Sequence, residues 1–446
     1  MKYPENRLKG LIFSVFVIAC MWSIPADESF LPDGFIDSAT VRAKINDRWL
    51  SGELNTVMGL KPETYTDQLI YTFTVSRTID SAAGILTISV LSNERNGEQG
   101  KWILARRLSD GLPDYIRVWP VADSSIFFTL RPDGENPDSG RTFVDLTIYG
   151  ADACRGAPIG LPFTRMYTMP LSDSISLVSA SVPIDLLSVE PDLYTDMGSA
   201  VSVIRSRLNS LVYLDDGCFN EKGAPVHIKD ESPQSASELL QVIPSDRSKD
   251  GLTGGVNCSG FAKWIVDGII RPLAGEGLYI EPLKTRTAAP DTEFTRPFRD
   301  TDALFFALDW TRNLASAVVS LSSGHTVLPD VSGVDVTADP FAGTDGYLKN
   351  VGYHAADLIP LLYYLAVKEP GHFYLGAVNR ERGTPPMREY HHVAAFFPYF
   401  DQNGKFTVAV FESAVETPIA SFIATNSDAF VHLVRVRIPE KGYFAP

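Results

Sequence analysis

Apolar and polar residues alternate in short runs over residues 50–183, and then the rhythm lengthens. Period-two alternation marks residues 69–75, 84–90, 125–130 and 142–148 as strands, because successive side chains on a strand point to opposite faces. Clusters rich in Pro, Asp, Asn and Gly at 131–134 and 136–140 read as turns between them. This predicts an all-β domain, sandwich or barrel-like, over residues 27–190. It holds no catalytic constellation.

A helical period begins near residue 198, through Val201, Ile204, Leu208 and Leu211. The domain boundary falls within 186–199, and residues 191–235 read as a helical linker region. Residues 236–446 form the second domain. Phe261, Trp264, Ile265 and Ile269 share one face of a helix that opens at Cys258. Residues 301–320 read as a second helix, with Leu304, Phe305, Leu308, Leu314 and Val318 near one stripe. An apolar stretch at 355–368 is interrupted by Pro360. Residues 372–378 and 390–397 look like strands, 401–404 is a turn signal, and 405–412 alternates as a return strand. The second domain is therefore α+β.

The formal charge of −15, with no basic stripe, argues against a nucleic-acid partner. Lys2, Arg7 and Lys9 precede an apolar run at 11–22, so residues 1–26 read as an export signal. Two endings are open. Val17-Ile18-Ala19-Cys20 resembles a lipobox, in which lipidated Cys20 anchors the protein to a membrane; cleavage after Ala26 is the other. Either makes the protein exported, to the periplasm or the cell surface. Cys154 and Cys218 are either a disulfide or two unrelated thiols.

The chemistry centres on Cys258. Asn257 is a good N-cap, and a thiol at the first helical position meets free backbone N–H groups and the positive end of a helix dipole. That setting favours thiolate, the nucleophilic form. If the 401–404 turn centres on residues 402 and 403, His392 faces residue 413, beside Glu412. A carboxylate there orients the imidazole and stabilises its charged form. Cys258, His392 and Glu412 are then nucleophile, base and orienting residue. His391 competes with His392, and Glu416 with Glu412. Asp401 reads as a turn residue. His354 and His372 read as structural, since no ligand spacing supports a metal site built from them and Asp357. No cofactor motif is present.

The sequence Asn257-Cys258-Ser259-Gly260-Phe261 resembles the Asp-Cys-Ser-Gly-Phe motif of the NlpC-type cysteine peptidases. His392-Val393-Ala394-Ala395-Phe396 is similar to that family's histidine strand, and Phe411-Glu412-Ser413-Ala414 to the segment with its third polar residue. The resemblance covers roughly residues 235–446. It implies a papain-related fold and hydrolysis of amide bonds in cell-wall peptides through a thioester. In that scheme Cys258 attacks, His392 carries the proton and Glu412 orients His392. The backbone N–H of Cys258 helps hold the oxyanion. Asn257 replaces the usual Asp, and Glu412 stands where His, Asn or Gln is commoner. A long insertion at 271–389 leaves the substrate open: relatives of this fold also transfer acyl groups or cleave lipid esters and amides. An inactive surface-binding protein is the non-enzymatic alternative.

Overall fold

The computed structural model describes residues 31–138, 140–245, 250–288, 305–384, 386–439 and 444–446. The segment read as an export signal, with Cys20 and Ala26, lies outside the described residues.

The first unit is all-β with a helical cover. β1 (Glu63–Thr66), β2 (Thr72–Asp80), β3 (Ile85–Ser92), β4 (Trp102–Arg107), β5 (Pro113–Val118), β6 (Ile126–Pro132), β7 (Thr142–Ile148) and β8 (Ala151–Pro158) make one antiparallel sheet in sequence order. β1 and β8 stand at its edges, so the sheet is an open meander and neither a closed barrel nor two stacked sheets. Alternation does the sorting: Leu86, Ile88 and Val90 of β3 are buried, and the residues between them are not. The buried face shares its core with Val41 and Ile45 of the helix Ala39–Ile45, with Trp49, and with Phe163 and Ile175. Arg42 pins this cover. Its buried guanidinium donates to the Tyr167 and Met169 carbonyls and pairs with Asp37 at 2.6 Å.

The second unit mixes helices and strands. β9 (Leu211–Tyr213) leads into the hairpin of β10 (Gly217–Phe219) and β11 (Pro225–His227), and β9 pairs in parallel with β12 (Gly254–Val256). Part of the stretch read as a linker therefore shares a ladder with the strand that delivers Cys258. The main sheet holds β13 (Tyr353–His354), β14 (His372–Arg382), β15 (Met387–Phe400), β16 (Phe406–Glu412), β17 (Val415–Pro418) and β18 (Phe430–Arg437). Their spatial order is β13-β18-β14-β15-β16-β17, with antiparallel neighbours throughout. The helices Cys258–Ala274 and Phe306–Ser323 pack on each other and on β15. Pro360 does not interrupt its helix, Leu358–Lys368: it sits in the first turn, where a missing N–H breaks no helical bond.

Aromatic rings weld the two units. Tyr149, just after β7, lies 5.7 Å from Tyr363 and 5.6 Å from Phe406, centroid to centroid. Tyr363 in turn meets Phe400 at 5.4 Å, and Tyr194 meets Phe400 at 5.2 Å. Phe400 and Phe406 close the loop end of the β15–β16 hairpin, so the first unit grips that hairpin at its turn.

Candidate active site

β12 runs buried into the helix that starts at Cys258. Two glycines make the approach possible. A Cβ on Gly255 would lie 2.4 Å from the Leu214 Cβ, and one on Gly260 would lie 2.0 Å from the Gly217 carbonyl oxygen. The first helical turn is thus pressed against the backbone at the start of β10. Asn257 is extended and caps the helix: its Oδ1 accepts from the Gly260 N–H at 2.8 Å. Behind the turn, the Trp310 indole donates to the Ser259 carbonyl at 2.9 Å and fixes the helix start to the neighbouring helix. Cys258 is partly buried.

His392 arrives from β15 beside a β-bulge. Val378 pairs with His392 and Asn379 with Tyr390, which leaves His391 as the extra residue. Bulges re-aim side chains and gather near functional sites. His392 Nε2–H donates to Glu412 Oε2 at 2.6 Å. Its ring also interacts with the Cys258 thiol, by hydrogen bonding and by charge. The Val393 backbone N–H faces the sulfur as well. On the far side, the Thr417 hydroxyl donates to Glu412 Oε1 at 2.6 Å. Sulfur, imidazole, carboxylate and hydroxyl form one continuous chain.

The electrostatics follow from that chain. Burial pushes the Cys258 thiol up, but the hydrogen bond and charge of His392 outweigh it and hold the thiol below its ordinary value. Burial alone would depress the His392 imidazolium; Cys258 and Glu412 overcome this and raise it to about 9. Burial favours neutral Glu412, yet His392 and Thr417 keep it below the usual carboxylate range. These shifts all favour the thiolate, imidazolium and carboxylate forms over their neutral counterparts. A thiolate here can attack an electrophilic carbon, and the neighbouring imidazolium can protonate the leaving group.

The structure brings Cys258, His392 and Glu412 together. His391 turns elsewhere: its Nε2 accepts from Arg380 at 3.3 Å, and burial lowers its imidazolium. Glu416 is held by Arg205 at 2.5 and 2.7 Å. Asp401 accepts from the Asn403 and Lys405 backbone amides within its own turn. The His354 ring accepts from the Ala356 N–H, and His372 faces the Glu369 carbonyl, so both have local partners. Asp357 ends the short helix Ala355–Asp357. Among the described residues no group of His, Cys, Asp and Glu is arranged for a metal ion. Cys154 on β8 and Cys218 on β10 are both free thiols, so the disulfide alternative fails: they sit in separate sheets. Burial pushes the Cys218 thiol up to about 12.

Two residues escape sequence reading. Tyr213 ends β9 opposite Val256, is 54% exposed, and has its hydroxyl raised by burial and then by the Asp215 and Cys258 charges. It comes within range of the Cys258 charge because β9 and β12 pair in parallel, which no local pattern encodes. Thr417 returns to Glu412 across a two-residue turn, Ser413-Ala414, that carries no glycine or asparagine. Cavities of about 1100 and 580 Å3 lie between the units, and neither is lined by Cys258, His392 or Glu412.

Among the described residues, no helix is long and apolar enough to cross a membrane. No curated protein and no solved structure matches the chain. Residues 32–186 match a family described as a domain of unknown function, DUF8515. That span covers the eight-stranded sheet and its helical cover and ends before Cys258, His392 and Glu412.

Proposed function

We propose that the second unit is an NlpC-like, papain-related cysteine hydrolase, exported from the cell, that cleaves amide bonds in cell-wall peptides. The observation that carries this reading is the unbroken chain from the Cys258 thiol through His392 to Glu412, on a helix start and a hairpin. The short motifs around Cys258 and His392 supply the substrate class, by resemblance alone.

The Cys258 thiolate attacks the amide carbonyl, and a C–S bond forms as the carbonyl π electrons move to oxygen. The Cys258 backbone N–H, free at the first helical position, donates to that oxyanion. The His392 imidazolium gives a proton to the departing amine, the C–N bond breaks, and a thioester remains. Neutral His392 then takes a proton from water, whose oxygen attacks the thioester; the carboxylic acid leaves and the thiolate returns. Glu412 holds the ring and offsets its charge at each stage.

Muropeptide cleavage by the purified protein, followed by mass spectrometry, tests the reading. Wild-type protein releases shortened peptides, and Cys258→Ala and Cys258→Ser release none. Equal cleavage by Cys258→Ala would remove Cys258 from the chemistry. Turnover of lipid esters with intact muropeptides would move the substrate class and leave the nucleophile in place.

A further inference from the structure

We propose that Thr417 is a positioning residue for the reaction: its hydroxyl, delivered by the Ser413–Ala414 turn, locks the Glu412 carboxylate in the plane that serves His392. This rests on the thiol-hydrolase reading and extends it to a fourth side chain.

Three observations carry it. First, Glu412 has both oxygens engaged, Oε2 by His392 and Oε1 by Thr417, each at 2.6 Å. A carboxylate held at one oxygen can still swing; one held at both cannot. Hydrogen bonds to a charged acceptor are the stronger kind. Second, the register puts them on one face. Glu412 pairs with Val415, and Thr417 lies two residues further along β17. Third, the chain accepts strain to make this happen. Ser413 (φ 48°) and Ala414 (φ 66°) are consecutive residues in the left-handed region, where side chains other than Gly, Asn and Asp are disfavoured. Two such residues give the tight reversal that returns Thr417 over Glu412 within five positions. Strain of this kind gathers at functional sites. β17 is pinned on its other side as well, since Arg205 from the helix Thr195–Arg207 holds Glu416. Arg205 is thereby committed away from Glu412. The titratable groups facing Glu412 are His392 from β15 and, beyond it, Cys258.

The test needs no substrate, so it stands apart from the identity of the bond cleaved. The rate of Cys258 alkylation by iodoacetamide is measured from pH 5 to 10 for wild type, Thr417→Val, Thr417→Ser and Glu412→Gln. Circular dichroism and denaturant melts confirm folding, and Thr417→Ala repeats the loss if Thr417→Val does not fold. Thr417→Val is expected to slow alkylation at pH 6 by about three- to tenfold, in the same direction as Glu412→Gln but by less. Thr417→Ser, which keeps the hydroxyl, stays within about twofold of wild type. A Thr417→Val profile superimposed on wild type while Glu412→Gln shifts would overturn the proposal and leave the hydrolase reading intact. Equal shifts in Thr417→Val and Thr417→Ser would overturn it too, because the hydroxyl would not be the cause. Superposition of all four profiles would remove Glu412 and Thr417 from the site together.

Discussion

Glu412 reaches His392 diagonally across the hairpin. Ala395 pairs with Phe411 and Phe400 with Phe406, so the same register extended along β15 places His392 opposite Ala414. Ala414 is already in the turn, at φ 66°. The carboxylate therefore comes from two residues back and meets Nε2, while the ring also interacts with the thiol.

That geometry makes the charge of Glu412 as important as its shape. Glu412→Gln keeps a hydrogen-bonding group and removes the charge that helps raise the imidazolium to about 9. The imidazolium then loses its proton at a lower pH, so the alkaline limb of the rate profile moves down. The thiolate loses part of its counter-ion as well, so the acid limb moves up. The working window narrows from both sides, and kcat falls by about 100-fold or more. A pH–kcat profile on any cleavable peptide checks this; an unchanged alkaline limb would show that Glu412 does not set the imidazolium.

The three thiols of the described residues should separate by environment. Cys258 is half-buried and its thiol is lowered. Cys154 is half-buried with its thiol raised, by burial first. Cys218 is fully buried, its thiol bonded to the Phe219 carbonyl and pushed up to about 12. Timed alkylation at pH 7 with peptide mapping is expected to label Cys258 first, Cys154 slowly and Cys218 only after denaturation. Early modification of Cys154 or Cys218 would contradict the electrostatic picture.

Much of this site is written locally in the chain. Asn257 before Cys258, Gly260 in the first turn and Phe261, Trp264, Ile265 and Ile269 on one face define the helix without tertiary help. The β15–β16 hairpin follows from alternation and the Asp401 turn. What stayed hidden is non-local or breaks a propensity rule. The His391 bulge depends on pairing with β14, across a segment read as an insertion. Ser413-Ala414 is a tight turn built from residues that seldom make one. In the first unit, β4 escaped because Arg106 and Arg107 end it. Arg106 is buried all the same, since its guanidinium donates to the Leu50, Gly52 and Gly111 carbonyls, a non-local compensation.

A second buried network should govern stability in acid. His432 on β18 is fully buried; its Nε2 lies 3.2 Å from the Arg312 guanidinium and 3.4 Å from Asp335. Arg312 also binds Asp335 at 2.6 and 3.0 Å and Asn350 at 2.7 Å. Nε2 accepts from Arg312, so the ring is neutral with its proton on Nδ1, and Nδ1 is buried without a partner. Burial, and then Arg312, push the imidazolium below its ordinary 6.5. The sign follows. Below pH 6.5 the unfolded chain binds a proton that the folded chain refuses, so stability falls as pH falls. His432 contributes up to about 1.4 kcal/mol per pH unit in that window. His392, raised above 6.5, acts in the opposite direction and only between pH 6.5 and about 9. Asp335 is held below the carboxylate range against burial, with Arg312 as its charged partner, so its contribution is lost only at lower pH. Urea melts at pH 6.5, 6.0 and 5.5, below the window of His392, are expected to give a declining series that is flatter for His432→Asn. Parallel series for the two proteins would show that His432 does not titrate on unfolding.

The contact between units should matter for stability and not for the thiol. Tyr149 packs at a tilt against Tyr363 and Phe406, and its hydroxyl donates to Asp123 at 2.5 Å. Tyr149→Ala removes the ring that joins the first unit to the loop end of the β15–β16 hairpin, at a cost of about 2–4 kcal/mol. Tyr149→Phe keeps the ring and loses only the hydrogen bond, about 1 kcal/mol. His392 and Glu412 lie at the opposite end of the same hairpin, beyond the Ala395–Phe411 pair. They are held there by Thr417 and the helix start at Cys258, and Tyr149 touches neither. Denaturant melts are therefore expected to rank wild type above Tyr149→Phe above Tyr149→Ala, while the pH midpoint of Cys258 alkylation stays the same in all three. A shifted midpoint in folded Tyr149→Ala would mean that the first unit reaches the thiol through the hairpin and acts on its chemistry.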